Sequence, residues 1–148
     1  MFDGRFITQK RVGEIGEEKV LNYLLKNHKV DDKRDSDEYR HKDIDFVVDN
    51  IVSLEVKTDR NISRTGNIYI ETYKGGWYEK CAADYLCIYS PQVNLAYILD
   101  YRKLKSILSS SGREIHHYDA DTGLMVPAVL VPLYDARIKG ALTQTISL

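Results

Sequence analysis

The sequence predicts an α/β fold: a mixed central β-sheet flanked by helices. Three observations carry this. Apolar residues recur at helical spacing over 10–27. Short segments rich in β-branched and aromatic residues then alternate with turn residues from 43 to 99, and a second helical segment at 100–110 interrupts the strands. At 148 residues, the chain falls within the roughly 100–200 residues of one domain. A single domain over 1–148 is expected, large enough to bury about 68–70% of its unfolded surface without disulfides or a structural metal.

Each element has its own signal. At about 100° per residue, Val12, Gly13, Gly16, Val20, Leu21, Tyr23 and Leu24 share one face of the 10–27 segment, and Arg11, Glu18, Lys19, Asn22 and Lys26 the other. Residues 29–42 are polar, with mixed charge and no apolar period, and read as a loop. Residues 43–48 and 51–58 read as a strand hairpin turning at Asp49-Asn50. A turn at 60–66 precedes a third strand at 67–73, and a short helix follows at 77–83. Strands are expected at 84–90, ended by Pro91, and at 94–99. Asp100 is a natural N-cap for the 100–110 helix. Further strands are expected near 114–118 and at 128–133; the remaining C-terminal residues give no clear signal.

Composition narrows the function. Lys plus Arg number 21 and Asp plus Glu 22, a net charge of −1. This excludes a generically basic nucleic-acid binder but not an enzyme with local basic patches. No apolar run is long enough to span a bilayer, so no membrane partner is expected. MFDGRFITQKR lacks the apolar core of a signal peptide. Cys81 and Cys87 form no disulfide framework or zinc pattern. A cytoplasmic location is therefore expected. The 11 Tyr, against 3 Phe and 1 Trp, suit amphipathic rings at the margin of a modest core; stacking on bases is the sharper alternative.

The informative chemistry lies in Asp43-Ile44-Asp45-Phe46-Val47-Val48 and Leu54-Glu55-Val56-Lys57. Alternate strand residues share a face, so Glu55 projects with Lys57, opposite Leu54 and Val56. A two-residue loop at 49–50 would oppose Asp45 to Leu54. A three-residue connection or a bulge would instead set Asp45 beside Glu55 and Asp43 beside Lys57, and this second register is expected. Two carboxylates and an ammonium suit a magnesium site, since Mg2+ takes one or two protein carboxylates plus waters and phosphate oxygens. Such a site can polarise a phosphoryl oxygen and activate water, with the lysine stabilising developing charge. The other E-x-K, Glu17-Glu18-Lys19, lies within the helix, where i and i+2 do not face each other. Glu17 falls on the apolar arc of that helix, between Leu21 and Leu24, and a core-facing carboxylate needs a partner.

These residues resemble the PD-(D/E)xK nuclease superfamily, the restriction-endonuclease-like fold, over roughly residues 10–90. The resemblance is strongest to the Holliday-junction-resolvase type and to small phage or prophage nucleases. There a helix with Gly, Glu and spaced apolar residues precedes an Asp strand and an E-x-K strand. Gly16-Glu17 with Val20, Tyr23 and Leu24, then Asp45, then Glu55-Val56-Lys57 match that pattern. Ile44 stands where the family name puts proline, which many members lack. The resemblance implies catalytic roles for Glu17, Asp45, Glu55 and Lys57. It also implies Mg2+, replaceable by Mn2+, held by Asp45, Glu55 and the Val56 carbonyl. The implied substrate is DNA, branched or of phage or host origin, and by analogy the assembly is a homodimer. A catalytically silent nucleic-acid-binding or assembly module on the same fold, or a nuclease acting on RNA, are the alternatives.

Other residues carry weaker signals. Asp43 reads as a partner of Lys57 or as a ligand of a second metal. Glu71 reads as a solvated strand residue or salt-bridge partner, or as a support to the metal site. Lys10, Arg11, Arg60, Arg64, Lys74 and Lys80 are candidate phosphate contacts. Adjacent His116 and His117 point to opposite sides of a strand and read as structural. His41 is an outside candidate for DNA contact or proton transfer.

Overall fold

In a computed structural model, residues 4–72, 77–120 and 122–148 are described. The opening helix, α1 (Gly4–Leu25), begins earlier than its apolar period suggests; no proline interrupts residues 4–10. Gly16 and Val20 are buried on the predicted face, and Arg11, Glu18, Lys19, Asn22 and Lys26 lie exposed on the other.

The 29–42 segment is not a simple loop. It forms β1 (Val30–Asp32) and a single turn of helix, α2 (Asp37–Arg40). Neither has an apolar period of its own. β1 exists because it pairs antiparallel with β2 (Phe46–Val48), Val30 beside Val48 and Asp32 beside Phe46. β2 is shorter than 43–48 because Asp43 adopts φ +53°, which takes the chain out of strand geometry. Ile44 is buried there, and its N–H donates to the Tyr39 carbonyl at 3.1 Å. A proline, which lacks that donor, could not make this bond.

β2 turns into β3 (Val52–Thr58) through three residues, with Asp49 and Asn50 both at positive φ. Phe46 pairs with Leu54 and Val48 with Val52. This is the register expected of a three-residue connection, but it does not carry past Phe46: the Asp45 N–H bonds the Leu54 carbonyl, and Asp43, at φ +53°, has left the strand, so its expected pairing with Lys57 is not made.

The central sheet has the order β1-β2-β3-β5-β6-β9, where β5 is Tyr85–Ser90, β6 Leu95–Asp100 and β9 Leu142–Ser147. β3 and β5 are parallel and the other pairs antiparallel, so the sheet is mixed as predicted. The β3–β5 register is pinned at both ends. Asp84 Oδ2 accepts from the Ser53 N–H at 2.8 Å, and the Asp59 N–H donates to the Tyr89 carbonyl at 2.9 Å.

The connection from β3 to β5 leaves the central sheet. It contains α3 (Ile62–Thr65), a single turn closed by Gly66 at φ +69°, where the sequence suggests only a turn. β4 (Asn67–Glu71) follows, then α4 (Trp77–Lys80), shorter than the predicted 77–83. β4 belongs to a second, antiparallel sheet of order β4-β8-β7, with β7 at Arg113–Asp119 and β8 at Leu124–Pro132. The C-terminal residues form α6 (Leu133–Ile138) and β9, which pairs with β6. The helix after β6, α5 (Tyr101–Ser111), is capped as predicted: Asp100 Oδ1 accepts from the Lys103 N–H at 3.0 Å.

The two faces of the central sheet bury different clusters. Val20 of α1 packs with Phe46, Leu54, Val56, Cys87 and Ala96 on one face. On the other, Leu86, Ile88 and Leu99 meet Ile68 and Ile70 of β4, Val131 of β8 and Tyr101 and Leu104 of α5. Among the described residues, no helix is long and apolar enough to cross a membrane.

The approach of α1 to this sheet depends on Gly16. A Cβ built there would lie 2.3 Å from Thr58 Oγ1 and 2.9 Å from Tyr89 Cδ1, whereas one at Gly13 would meet nothing within 4 Å. Gly16→Ala is therefore expected to destabilise by about 1–3 kcal/mol through overpacking, despite alanine's better helix propensity. Gly13→Ala is expected to stabilise by about 0.5–1 kcal/mol. Urea denaturation of the two variants checks this; equal effects would contradict the packing account.

Candidate active site

Beyond Phe46 the β2–β3 ladder gives way to a side chain. The Asp45 N–H still donates to the Leu54 carbonyl at 2.9 Å, but the next donor of the β3 edge, the Val56 N–H, is taken by Asp45 Oδ2 at 2.8 Å. In a strand, a residue's N–H and C=O face the same neighbour, so the Val56 carbonyl faces this gap too. Glu55 is only 7% exposed, and Lys57 Nζ lies 3.4 Å from its Oε1.

A cavity of about 660 Å3 opens at this edge. Asp45, Glu55, Val56 and Lys57 line it from the sheet, and Lys10, Glu14 and Glu17 from α1; Thr58 and Arg60 complete one side. The structure thus brings together Glu17, Asp45, Glu55 and Lys57, which lie up to forty residues apart in sequence, with Lys10 and Arg60 beside them.

The carboxylates strain one another. Burial pushes Glu55 up to about 8, the negative charge of Asp45 adds to this, and Lys57 only partly offsets it. Burial likewise raises Glu17 to about 7, again reinforced by Asp45. Asp45 is itself raised by burial, although the Val56 N–H and Lys57 oppose the shift. With no cation present, the cluster holds protons at neutral pH that exposed carboxylates would have lost.

Other candidates fall elsewhere. Asp43 does not line the cavity, although its charge contributes to the rise of Glu55. Its buried Oδ2 has no hydrogen-bond partner among the described residues. Glu71 and Arg64 line a neighbouring cavity instead. Arg11, His41 and Lys80 are exposed and line neither, and Lys74 lies outside the described residues. His117 is hydrogen-bonded to the Tyr69 hydroxyl.

Arg34 is the site residue that sequence reasoning missed. It bonds Asp32 Oδ2 at 2.6 Å and Glu18 Oε1 at 2.8 Å, and it sits over the Phe46 ring. Its charge lowers both Glu17 and Asp45. The only sequence cue was an Arg in a segment read as a loop.

No protein-family model matches the sequence, and no curated protein does. Among solved structures, the chain is similar to a bacterial homing endonuclease, I-Ssp6803I. The identity is 21% and the TM-score 0.50, with 76% of each chain covered. The likeness is one of fold.

The donor set also narrows which metal would fit. Among the described residues, no three His, Cys, Asp or Glu side chains are grouped to close around one ion. Asp45, Glu55 and a backbone carbonyl would leave most positions to water, which is how magnesium is usually bound; structural zinc instead takes a closed set of four protein ligands.

The raised carboxylates fix a pH dependence. A carboxyl whose folded value lies above its unfolded one stabilises the fold fully below the unfolded value, near 4.5, and loses that contribution as pH rises through the folded value, here about 7 to 8. Metal-free protein is therefore expected to lose stability between pH 5 and 8. Glu55→Gln should raise the Tm at pH 8 by roughly 3–6 °C, about 1–2 kcal/mol, and change it little at pH 5. Thermal melts in chelator at the two pH values check this; a variant equally stabilised at both would contradict it.

Proposed function

We propose that this chain is a metal-dependent endonuclease of the PD-(D/E)xK type that hydrolyses phosphodiester bonds in DNA. The observation that carries this reading is the single cavity uniting Glu17, Asp45, Glu55 and Lys57 where β2 parts from β3. The fold likeness to an enzyme described as a homing endonuclease supports DNA as the substrate class.

Asp45, Glu55 and the Val56 carbonyl would hold Mg2+, or Mn2+ in its place. When bound, the ion supplies Lewis-acid polarisation of a phosphoryl oxygen and lowers the pKa of a bound water. Lys57, about half exposed beside Glu55, orients the attacking water and stabilises negative charge as it develops on the phosphorus oxygens. Glu17 completes the acidic wall from the α1 side. Lys10 and Arg60 offset the charge of flanking phosphates. Gly16 seats α1 closely enough for Glu17 to reach the cavity.

Purified protein incubated with plasmid, linear, single-stranded and branched DNA in Mg2+ or Mn2+ tests this. Cleavage is expected, with Glu55→Ala and Lys57→Ala each reducing the rate by about 100-fold or more. No cleavage of any substrate, or variants as active as wild type, would overturn the reading. Tight binding of DNA without cleavage in any divalent metal would favour a silent binding module instead.

A further inference from the structure

A second cavity, of about 620 Å3, adjoins the acidic one and shares Lys57, Thr58 and Arg60 with it. It lies between the two sheets and has a different character. Its accessible apolar wall is Tyr69 of β4 and Leu130 of β8, half-buried and paired across the second sheet, with the buried Ile70, Leu86 and Ile88 behind. Its charged residues are Lys57, Arg60 and Arg64 against Asp59 and Glu71, an excess of cations where the first cavity has an excess of carboxylates.

Both of its carboxylates are engaged within the protein. Asp59 Oδ1 accepts from the Asn61 and Ile62 N–H groups at 2.7 and 3.1 Å, and Glu71 Oε1 accepts from the Tyr69 hydroxyl at 3.3 Å. The same hydroxyl bonds His117 Nδ1, and the two rings stand edge to face with centroids 5.4 Å apart. The Tyr69 ring is thereby held in one orientation. Among the described residues, Arg60 and Arg64 have no carboxylate partner; Arg64 Nη2 bonds only Asn61 Oδ1, at 3.3 Å.

A fixed aromatic ring with an aliphatic side chain beside it and two guanidiniums suit a flat heteroaromatic base joined to a phosphate. The volume is within the roughly 300–1,000 Å3 of small-ligand sites. In a stacked duplex a base offers its edge, not its face, so a cavity that takes a base by its face needs a nucleotide out of the stack.

We propose that this cavity is a nucleotide subsite, and that the favoured DNA carries an unpaired nucleotide next to the scissile phosphate. Its base lies against Tyr69 and Leu130, and its phosphate meets Arg60 and Arg64. The inference rests on the nuclease reading above for the position of the scissile phosphate.

The test is fluorescence anisotropy in chelator, comparing a duplex carrying one unpaired nucleotide with its fully paired counterpart. Base stacking contributes about 1–3 kcal/mol, so the full-length protein is expected to bind the first about tenfold more tightly or better. Arg64→Ala, at an exposed position, should cut that preference to below about threefold while changing affinity for the paired duplex far less. Equal affinity of wild type for the two duplexes, or a variant that weakens both alike, would overturn the subsite. Adding Mg2+ to the same complexes separates the two readings. Preference without cleavage overturns the nuclease and leaves the subsite, whereas cleavage without preference does the reverse.

Discussion

The site depends on Glu55 being held in a strand that cannot release it to water. Its neighbours Leu54 and Val56 are anchored in the apolar cluster under α1. Its strand is locked against β5 by Asp84 at one end and by the Asp59 N–H at the other. Rotating Glu55 outward would turn Leu54 and Val56 out of the core, because a strand's two faces exchange together. Burying a carboxylate is costly unless something offsets its charge. The fold answers with Lys57 on the same face, and then places Asp45 and Glu17 alongside, which increases the cost. A cation bound among them would relieve that cost.

Topology supplies the second half of the arrangement. β3 and β5 run parallel, so the chain must cross over between them, and here the crossover carries β4 into a separate sheet. That excursion roofs the face of β5 bearing Leu86 and Ile88 and creates the basic cavity beside the acidic one. Lys57, Thr58 and Arg60, at and just beyond the end of β3, therefore border both cavities. One short segment thus joins a wall suited to cations and a wall suited to phosphates, as a polynucleotide lying across both would require.

Much of the acidic site was legible in the sequence because it rests on local periodicity. The two-residue repeat of β3 put Glu55 with Lys57, and the helical projection put Glu17 on the inward arc of α1. A three-residue connection or a bulge was needed to bring Asp45 to the side of Glu55, and the chain has three residues between β2 and β3. What escaped notice depends on long-range pairing. β1 has no pattern of its own and forms by pairing with β2, so Arg34 was hidden within a polar stretch. The alternation of Asn67–Glu71 was visible, but not its membership of a second sheet, because its partner β8 lies about sixty residues later. Tyr69 and His117 meet only through that sheet. β9, exposed on most of its residues, offers no apolar run and is fixed by its pairing with β6.

The most direct test of this account is calorimetric titration of Mn2+ into the protein at pH 7, repeated in two buffers of different ionisation enthalpy. A cluster that holds protons because its carboxylates repel one another should release roughly one proton as each ion binds. Both the binding and the release should be lost in Asp45→Asn. Mn2+ binding without proton release, or binding that survives Asp45→Asn unchanged, would contradict the claim that this strained carboxylate cluster is a cation site.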